Sequence, residues 1–228
     1  DTSDYKPKLA DLDKDGDLDA YFVNWDRERV RVVYLNDGKG YFTEKFGTGL
    51  IPGHNAGAAL FDSDKDGDTD LVETGYTIDE TGYYLNLTQK VYKNDGTAKF
   101  TLTQELFSAA YAGVIASADL DKDGDIDFVS GVGVHKNDGK GYFTHNPGGA
   151  TYFEAPLGDA DNDGDVDITT GHSIGANDGT GFFYGCSLWF LCVWFNHDSK
   201  FGDVDGDGDL DMAVTYYDHT INWTTGRQ

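Results

Sequence analysis

The chain has 228 residues, the length of one domain, with 41 Asp plus Glu against 17 Lys plus Arg, a formal charge of −24 at pH 7 and a pI of about 4.2. So acidic a surface excludes a nucleic-acid backbone or an anionic membrane as a first partner, since both reward clusters of Lys and Arg. Disorder is excluded too, because 14 Phe, 14 Tyr and 4 Trp can build a core, and no apolar run approaches the roughly 20 residues of a membrane-crossing helix.

The first element, DLDKDGDLD, places carboxylates at Asp11, Asp13, Asp15, Asp17 and Asp19. The pattern returns as DSDKDGDTD (Asp62, Asp64, Asp66, Asp68, Asp70), DLDKDGDID (Asp119, Asp121, Asp123, Asp125, Asp127), DADNDGDVD (Asp159, Asp161, Asp163, Asp165, Asp167) and DVDGDGDLD (Asp203, Asp205, Asp207, Asp209, Asp211). Five carboxylates in each of five copies account for most of the acidic charge, so the charge belongs to five loops. Carboxylates at every second position repel one another, and a folded chain keeps them where a cation cancels the charge. Ca²⁺, which takes six to eight oxygens at about 2.3 to 2.6 Å, does this well. The expected ligands in the first loop are Asp11, Asp13, Asp15, the carbonyl of Asp17, and Asp19, around a sharp turn at Gly16; the Asp17 side chain is then free to face water. With five ions bound, one per loop, the charge of −24 becomes −14.

These are not helix-loop-helix calcium sites. Position 12 is Phe22, Glu73, Ser130, Thr170 and Val214, so only one copy offers the usual Glu, and no amphipathic helix flanks any loop. After each loop comes a short strand instead (LDAYFV, TDLVET, IDFVSG, VDITTG, LDMAVT), with apolar residues alternating with Asp. Further along come LNDGKGYF from Leu35, KNDGTAKF from Lys93, KNDGKGYF from Lys136 and ANDGTGFF from Ala176. Asn-Asp-Gly between apolar runs predicts a hairpin turn, since Asn and Gly tolerate positive φ. Each unit is therefore strand, calcium loop, strand, connection, strand, turn, strand. That predicts an all-β chain, a β-propeller of four-stranded antiparallel blades, each with its DxDxDGDxD loop.

On these motifs the sequence resembles the FG-GAP or VCBS repeat family, the calcium-loop blades of integrin α-subunit propellers, some fungal lectins and many secreted bacterial proteins. The resemblance implies a propeller with a Ca²⁺ loop between the first two strands of each blade. It implies no single function, because the family includes lectins, adhesion receptors and accessory domains of enzymes.

Five loops predict five blades in one domain spanning residues 1–228, with repeats at about 1–46, 47–107, 108–147, 148–190 and 191–228. The second is longest, its extra length falling around Tyr76 to Lys90. The fifth has no Asn-Asp-Gly element after Asp211, so either the segment from Asp1 to Lys6 completes it in a closed ring, or an edge stays open for another molecule. The reading is of a secreted or cell-surface chain whose leader has been removed: it starts at Asp1, its one Met is Met212, and nothing like a leader precedes the first motif. Cys186 and Cys192 form a local disulfide or stay as two buried thiols, and Asn86 and Asn222 open glycosylation sequons.

Between blades four and five, Cys186 to Phe195 carries Trp189, Phe190 and Trp194. Two readings stand, an exposed aromatic loop that stacks on sugar or docks a partner, and an aromatic plug between blades. Gly171-His172-Ser173-Ile174-Gly175 matches a nucleophile pattern but follows a strand within a β-repeat, which makes it a coincidence. The six histidines show no metal-type spacing, and nothing pairs Glu73, Glu154 and Asp218, the carboxylates noted outside the loops. The expected function is non-enzymatic binding of carbohydrate or an extracellular protein. The alternatives are a glycosylated filament or surface-layer subunit, self-associating through the incomplete fifth blade or the Trp-rich loop, and, third, a polysaccharide-active enzyme.

Overall fold

The computed structural model describes residues 7–22, 32–51, 54–78, 84–108, 115–146, 157–169, 174–184, 199–204 and 211–214. These form eighteen strands and no helix. Four sheets are four-stranded antiparallel meanders. The first comprises β1 (Pro7–Ala10), β2 (Asp19–Phe22), β3 (Val32–Asn36) and β4 (Phe42–Lys45). The second comprises β5 (His54–Phe61), β6 (Asp70–Ile78), β7 (Tyr84–Asn94) and β8 (Phe100–Ser108), and the third β9 (Ile115–Ala118), β10 (Asp127–Ser130), β11 (Gly133–Asn137) and β12 (Phe143–Asn146). The fourth runs β13 (Leu157–Gly158), β14 (Asp167–Thr169), β15 (Ile174–Asn177) and β16 (Phe183–Tyr184). In the fifth repeat the described strands are the pair β17 (Ser199–Gly202) and β18 (Asp211–Val214).

The loops and turns punctuate these sheets at fixed places. In every repeat the ninth loop residue opens the second strand and pairs with the residue just before the loop: Ala10↔Asp19, Phe61↔Asp70, Ala118↔Asp127, Gly158↔Asp167 and Gly202↔Asp211. In the four complete sheets the turn Asn ends the third strand and faces the aromatic that begins the fourth: Asn36↔Phe42, Asn94↔Phe100, Asn137↔Phe143 and Asn177↔Phe183. The extra length of repeat 2 is strand, as β6, β7 and β8 have 9, 11 and 9 residues.

Successive first strands touch, β1 with β5, β5 with β9, and β9 with β13, which is how propeller blades line an axis. Between the blades lie three apolar cores. Leu12, Tyr21, Val33, Leu71, Tyr92 and Phe100 join sheets one and two; Val72, Val91, Phe128 and Phe143 join two and three; Leu120, Val129, Ile168 and Phe183 join three and four. The second residue of the loop (Leu12, Leu120) and the aromatic of the turn (Phe100, Phe143, Phe183) sit in these cores, so hydrophobic burial holds loop and turn in place.

Candidate metal centres

Each of the first four loops is folded by its own carboxylates. The position-1 carboxylates accept the backbone N–H of the position-6 glycine, Gly16 to Asp11 at 3.0 Å, Gly67 to Asp62 at 2.9 Å, Gly124 to Asp119 at 3.0 Å and Gly164 to Asp159 at 2.9 Å. Position 5 accepts the N–H of position 7, as from Asp68 to Asp66 at 2.8 Å. Asp19, Asp70, Asp127 and Asp167 at position 9 are buried, and each ties its loop in two directions. One oxygen accepts the N–H of position 2 (Leu12, Ser63, Leu120, Ala160) and the other the N–H of the turn Asn (Asn36, Asn94, Asn137, Asn177). The backbone is left-handed at position 6, where glycine is suited to it, and also at position 4, where Lys14, Lys65, Lys122 and Asn162 have φ of 61°, 62°, 59° and 65°.

What remains is a set of oxygens with nowhere to go. Buried Oδ1 atoms of Asp11, Asp13, Asp62, Asp119, Asp121 and Asp159 have no hydrogen-bond partner. Ligand oxygens converge within 4.8 Å of one another in four groups: Asp11, Asp13 and Asp15; Asp62, Asp64 and Asp66; Asp119, Asp121 and Asp127; Asp159, Asp161 and Asp167. The electrostatics are unfavourable as they stand. Burial, then the charges of Asp19 and Asp15, pushes the Asp13 carboxyl above its ordinary range, and burial followed by the charge of Asp167 does the same to Asp161. Burial pushes Asp127 up to about 6, against the hydrogen bonds from Asn137 and Leu120, and also raises Asp70. An all-oxygen donor set with orphaned, mutually repelling carboxylates fits a hard cation of the calcium type, and the residues that would hold it are those at positions 1, 3, 5 and 9.

The position-7 side chains correct the sequence expectation. They do not simply face water. The carboxylates of Asp17, Asp68, Asp125 and Asp165 lie against the turn glycines Gly38, Gly96, Gly139 and Gly179, where an added Cβ would meet them closer than 3.0 Å and where a φ of 72° to 77° calls for Gly. Three of them also receive the position-4 lysine of the preceding loop: Lys14 pairs with Asp68, Lys65 with Asp125 and Lys122 with Asp165. The hydrogen bond to its aspartate holds each lysine above its ordinary range.

The turn Asn is also put to a different use from the one expected. It is not left-handed; the positive φ values fall on the turn glycines and on Ala98. Its side-chain amide clamps two loops. Nδ2 of Asn94, Asn137 and Asn177 donates to the position-2 carbonyl of the preceding loop (Leu12 at 2.8 Å, Ser63 at 2.7 Å, Leu120 at 2.8 Å) and to the position-8 carbonyl of its own (Thr69, Ile126, Val166). Among the described residues Asn36 reaches only its own loop, at the Leu18 carbonyl, 3.2 Å away.

Away from the loops, two of the six histidines are neighbours. His135 stacks on Phe128, with centroids 4.3 Å apart, and lies 4.8 Å from the His145 ring, while its Nε2 is 3.3 Å from the Ser130 hydroxyl. Glu73 is buried and accepts a hydrogen bond from the Tyr21 hydroxyl at 2.9 Å. In the fifth loop Asp203 is exposed and Asp211 opens β18, whereas Asp205, Asp207 and Asp209 lie outside the described residues. So do Cys186, Cys192, Trp189, Phe190, Trp194, Asn222, Glu154 and Asp218; Asn86 lies in β7.

With this geometry in hand, the repeat can be placed. Residues 11–73 match the FG-GAP-like repeat. That stretch contains the first two loops and the strands between them. No curated protein matches the chain. Among solved structures the chain is similar to the exotype rhamnogalacturonan lyase YesX, with 15% identity, a TM-score of 0.49, and coverage of 78% of this chain and 40% of that one. It is also similar to the V. cholerae biofilm matrix protein Bap1, with 20% identity, a TM-score of 0.46, and coverage of 90% of this chain and 33% of that one. The chain thus spans less than half the length of either structure.

Proposed function

We propose that the chain is a calcium-stabilised, five-bladed β-propeller of a secreted or cell-surface protein, and that it binds carbohydrate without catalysing a reaction. Calcium is held by the position 1, 3, 5 and 9 carboxylates of each loop, with the position-7 carbonyl among its ligands. It neutralises the loops and fixes the blade edges. The observation that carries the ligand class is a row of aromatic side chains at one place in the turn. Tyr41, Tyr142 and Phe182 follow the second turn glycine in repeats 1, 3 and 4 and are 74%, 52% and 43% exposed. Exposed rings held on rigid turns beside polar loops are the surface on which sugar rings stack. Tyr142 is further fixed by the Lys93 ammonium 5.8 Å above its ring.

A glycan array probed in calcium and again in EDTA tests this reading. Calcium-dependent binding that Tyr142→Ala weakens is the expected result; a protein that is folded and calcium-loaded yet retains no glycan sinks it. A second reading, a subunit of an extracellular filament or surface layer, draws on repeat 1. Its turn carries the same side chains that are buried at the other joints, yet Phe42 is 48% exposed and Asn36 reaches no second loop among the described residues. Electron microscopy of the native material separates the two readings.

A further inference from the structure

The loops share one motif but not one set of neighbours. In loop 2 the Lys93 ammonium donates to Asp64 Oδ2 at 2.6 Å, and in loop 3 the Lys136 ammonium lies 3.0 Å from Asp121 Oδ2; both aspartates hold position 3, a ligand position. The same loops receive a second ammonium on their position-7 carboxylates, from Lys14 and Lys65. Loop 4 receives Lys122 on Asp165, but at the place of Lys93 and Lys136 it has Ala176. Loop 1 has Leu35 there, and among the described residues no Lys or Arg pairs with any of its five carboxylates. Among the described residues two ammonium groups serve each of loops 2 and 3, one serves loop 4 and none serves loop 1.

We infer that Lys93 and Lys136 act as built-in counter-ions that divide the calcium loops into two classes, with loops 1 and 4 filling first and loops 2 and 3 last. The inference rests on the calcium reading above. An ammonium on a ligand carboxylate both occupies an oxygen lone pair and repels the incoming ion. For a divalent cation and an ammonium about 5 Å apart in a water-like dielectric, the repulsion weakens binding about tenfold. Lys93 also has somewhere to go when calcium takes Asp64, because it already donates to the Lys140 carbonyl at 2.8 Å and faces the Tyr142 ring. Filling loop 2 therefore acts directly on the residue that holds the exposed Tyr142.

Calorimetric titration of the calcium-free chain with calcium tests the division. Two classes of site about tenfold apart are expected. Asp13→Asn should delete a tight site and Asp64→Asn a weak one. Lys93→Met and Lys136→Met should each move one weak site into the tight class, Lys93→Arg should leave its site weak, and Ala176→Lys should make one tight site weak. A single class of sites, unmoved by Lys93→Met and by Ala176→Lys, overturns the division while leaving calcium binding intact. No calcium binding at all overturns the calcium reading and the division with it.

Discussion

Repeat 1 and repeat 3 carry nearly the same words, DLDKDGDLD with LNDGKGYF against DLDKDGDID with KNDGKGYF, and sit in different physical settings. In repeat 3 Lys65 and Lys136 each pair with one of the loop's carboxylates, the turn amide of Asn137 grips loop 2, and Phe143 is buried. In repeat 1, among the described residues, no lysine reaches the loop and Asn36 binds only its own repeat, while Phe42 is half exposed. A motif of this kind fixes the shape of its own loop. Which of its carboxylates are paired depends on its own third strand, through Lys93 or Lys136, and on the repeat before it, through Lys14, Lys65 or Lys122.

The largest expected effect comes from removing calcium. Chelation should lower the melting temperature by about 10 °C or more, since several ligand-binding free energies are lost at once. In hydrogen exchange, repeat 1 should lose protection before repeats 2 and 3; equal loss in all repeats breaks the contrast, and unchanged melting refutes the metal assignment. Next comes a pair of equivalent core substitutions. Phe143→Ala should cost about 3 to 5 kcal/mol and Phe42→Ala less than about 1 kcal/mol in denaturant unfolding. Similar losses would show that the face of repeat 1 is covered in solution.

A smaller effect separates the repeats by pH. Burial, and then the charge of His145, holds His135 down to about 3, below its ordinary 6.5. The folded state therefore favours the neutral ring, and the stability this gives is complete above about 6.5 and lost as pH falls from there toward 3. At pH 5 the loss is about 2 kcal/mol, and His135→Phe, which can still stack on Phe128, should remove most of it. Unfolding midpoints at pH 7 and 5 in saturating calcium read this directly, and equal acid sensitivity in both proteins denies His135 the role. Smallest is the exposed lysine. Lys122→Met should shift melting by about 1 °C or less, because an ion pair with one solvated partner contributes little.

Much of this was written in local sequence. The loops, the strands that begin at position 9 and the turns that end at Phe all follow from patterns shorter than ten residues, where ligand spacing and period-2 alternation act directly. The cross-repeat contacts were less legible. Lys14 finds Asp68 across more than fifty residues, and only the offset between stacked blades decides that position 4 meets position 7. Some signals were present but unread. The residue before the turn Asn varies (Leu35, Lys93, Lys136, Ala176) while the Asn does not, which pointed to a task for its amide. Once Asn137 faces Phe143, counting two residues away from the turn along both strands brings His135 opposite His145.

The clamp made by the turn Asn has a consequence for how such chains grow. Repeats 2 and 3 each carry a donor on the turn and an acceptor on the loop, so a duplicate of either brings both halves of a joint with it. Inserting a copy between two others creates no surface that lacks a match and needs no compensating substitution. Copy number can therefore drift by whole repeats while the sequence of each copy stays under constraint, and the rule for adding a repeat is contained in the repeat itself.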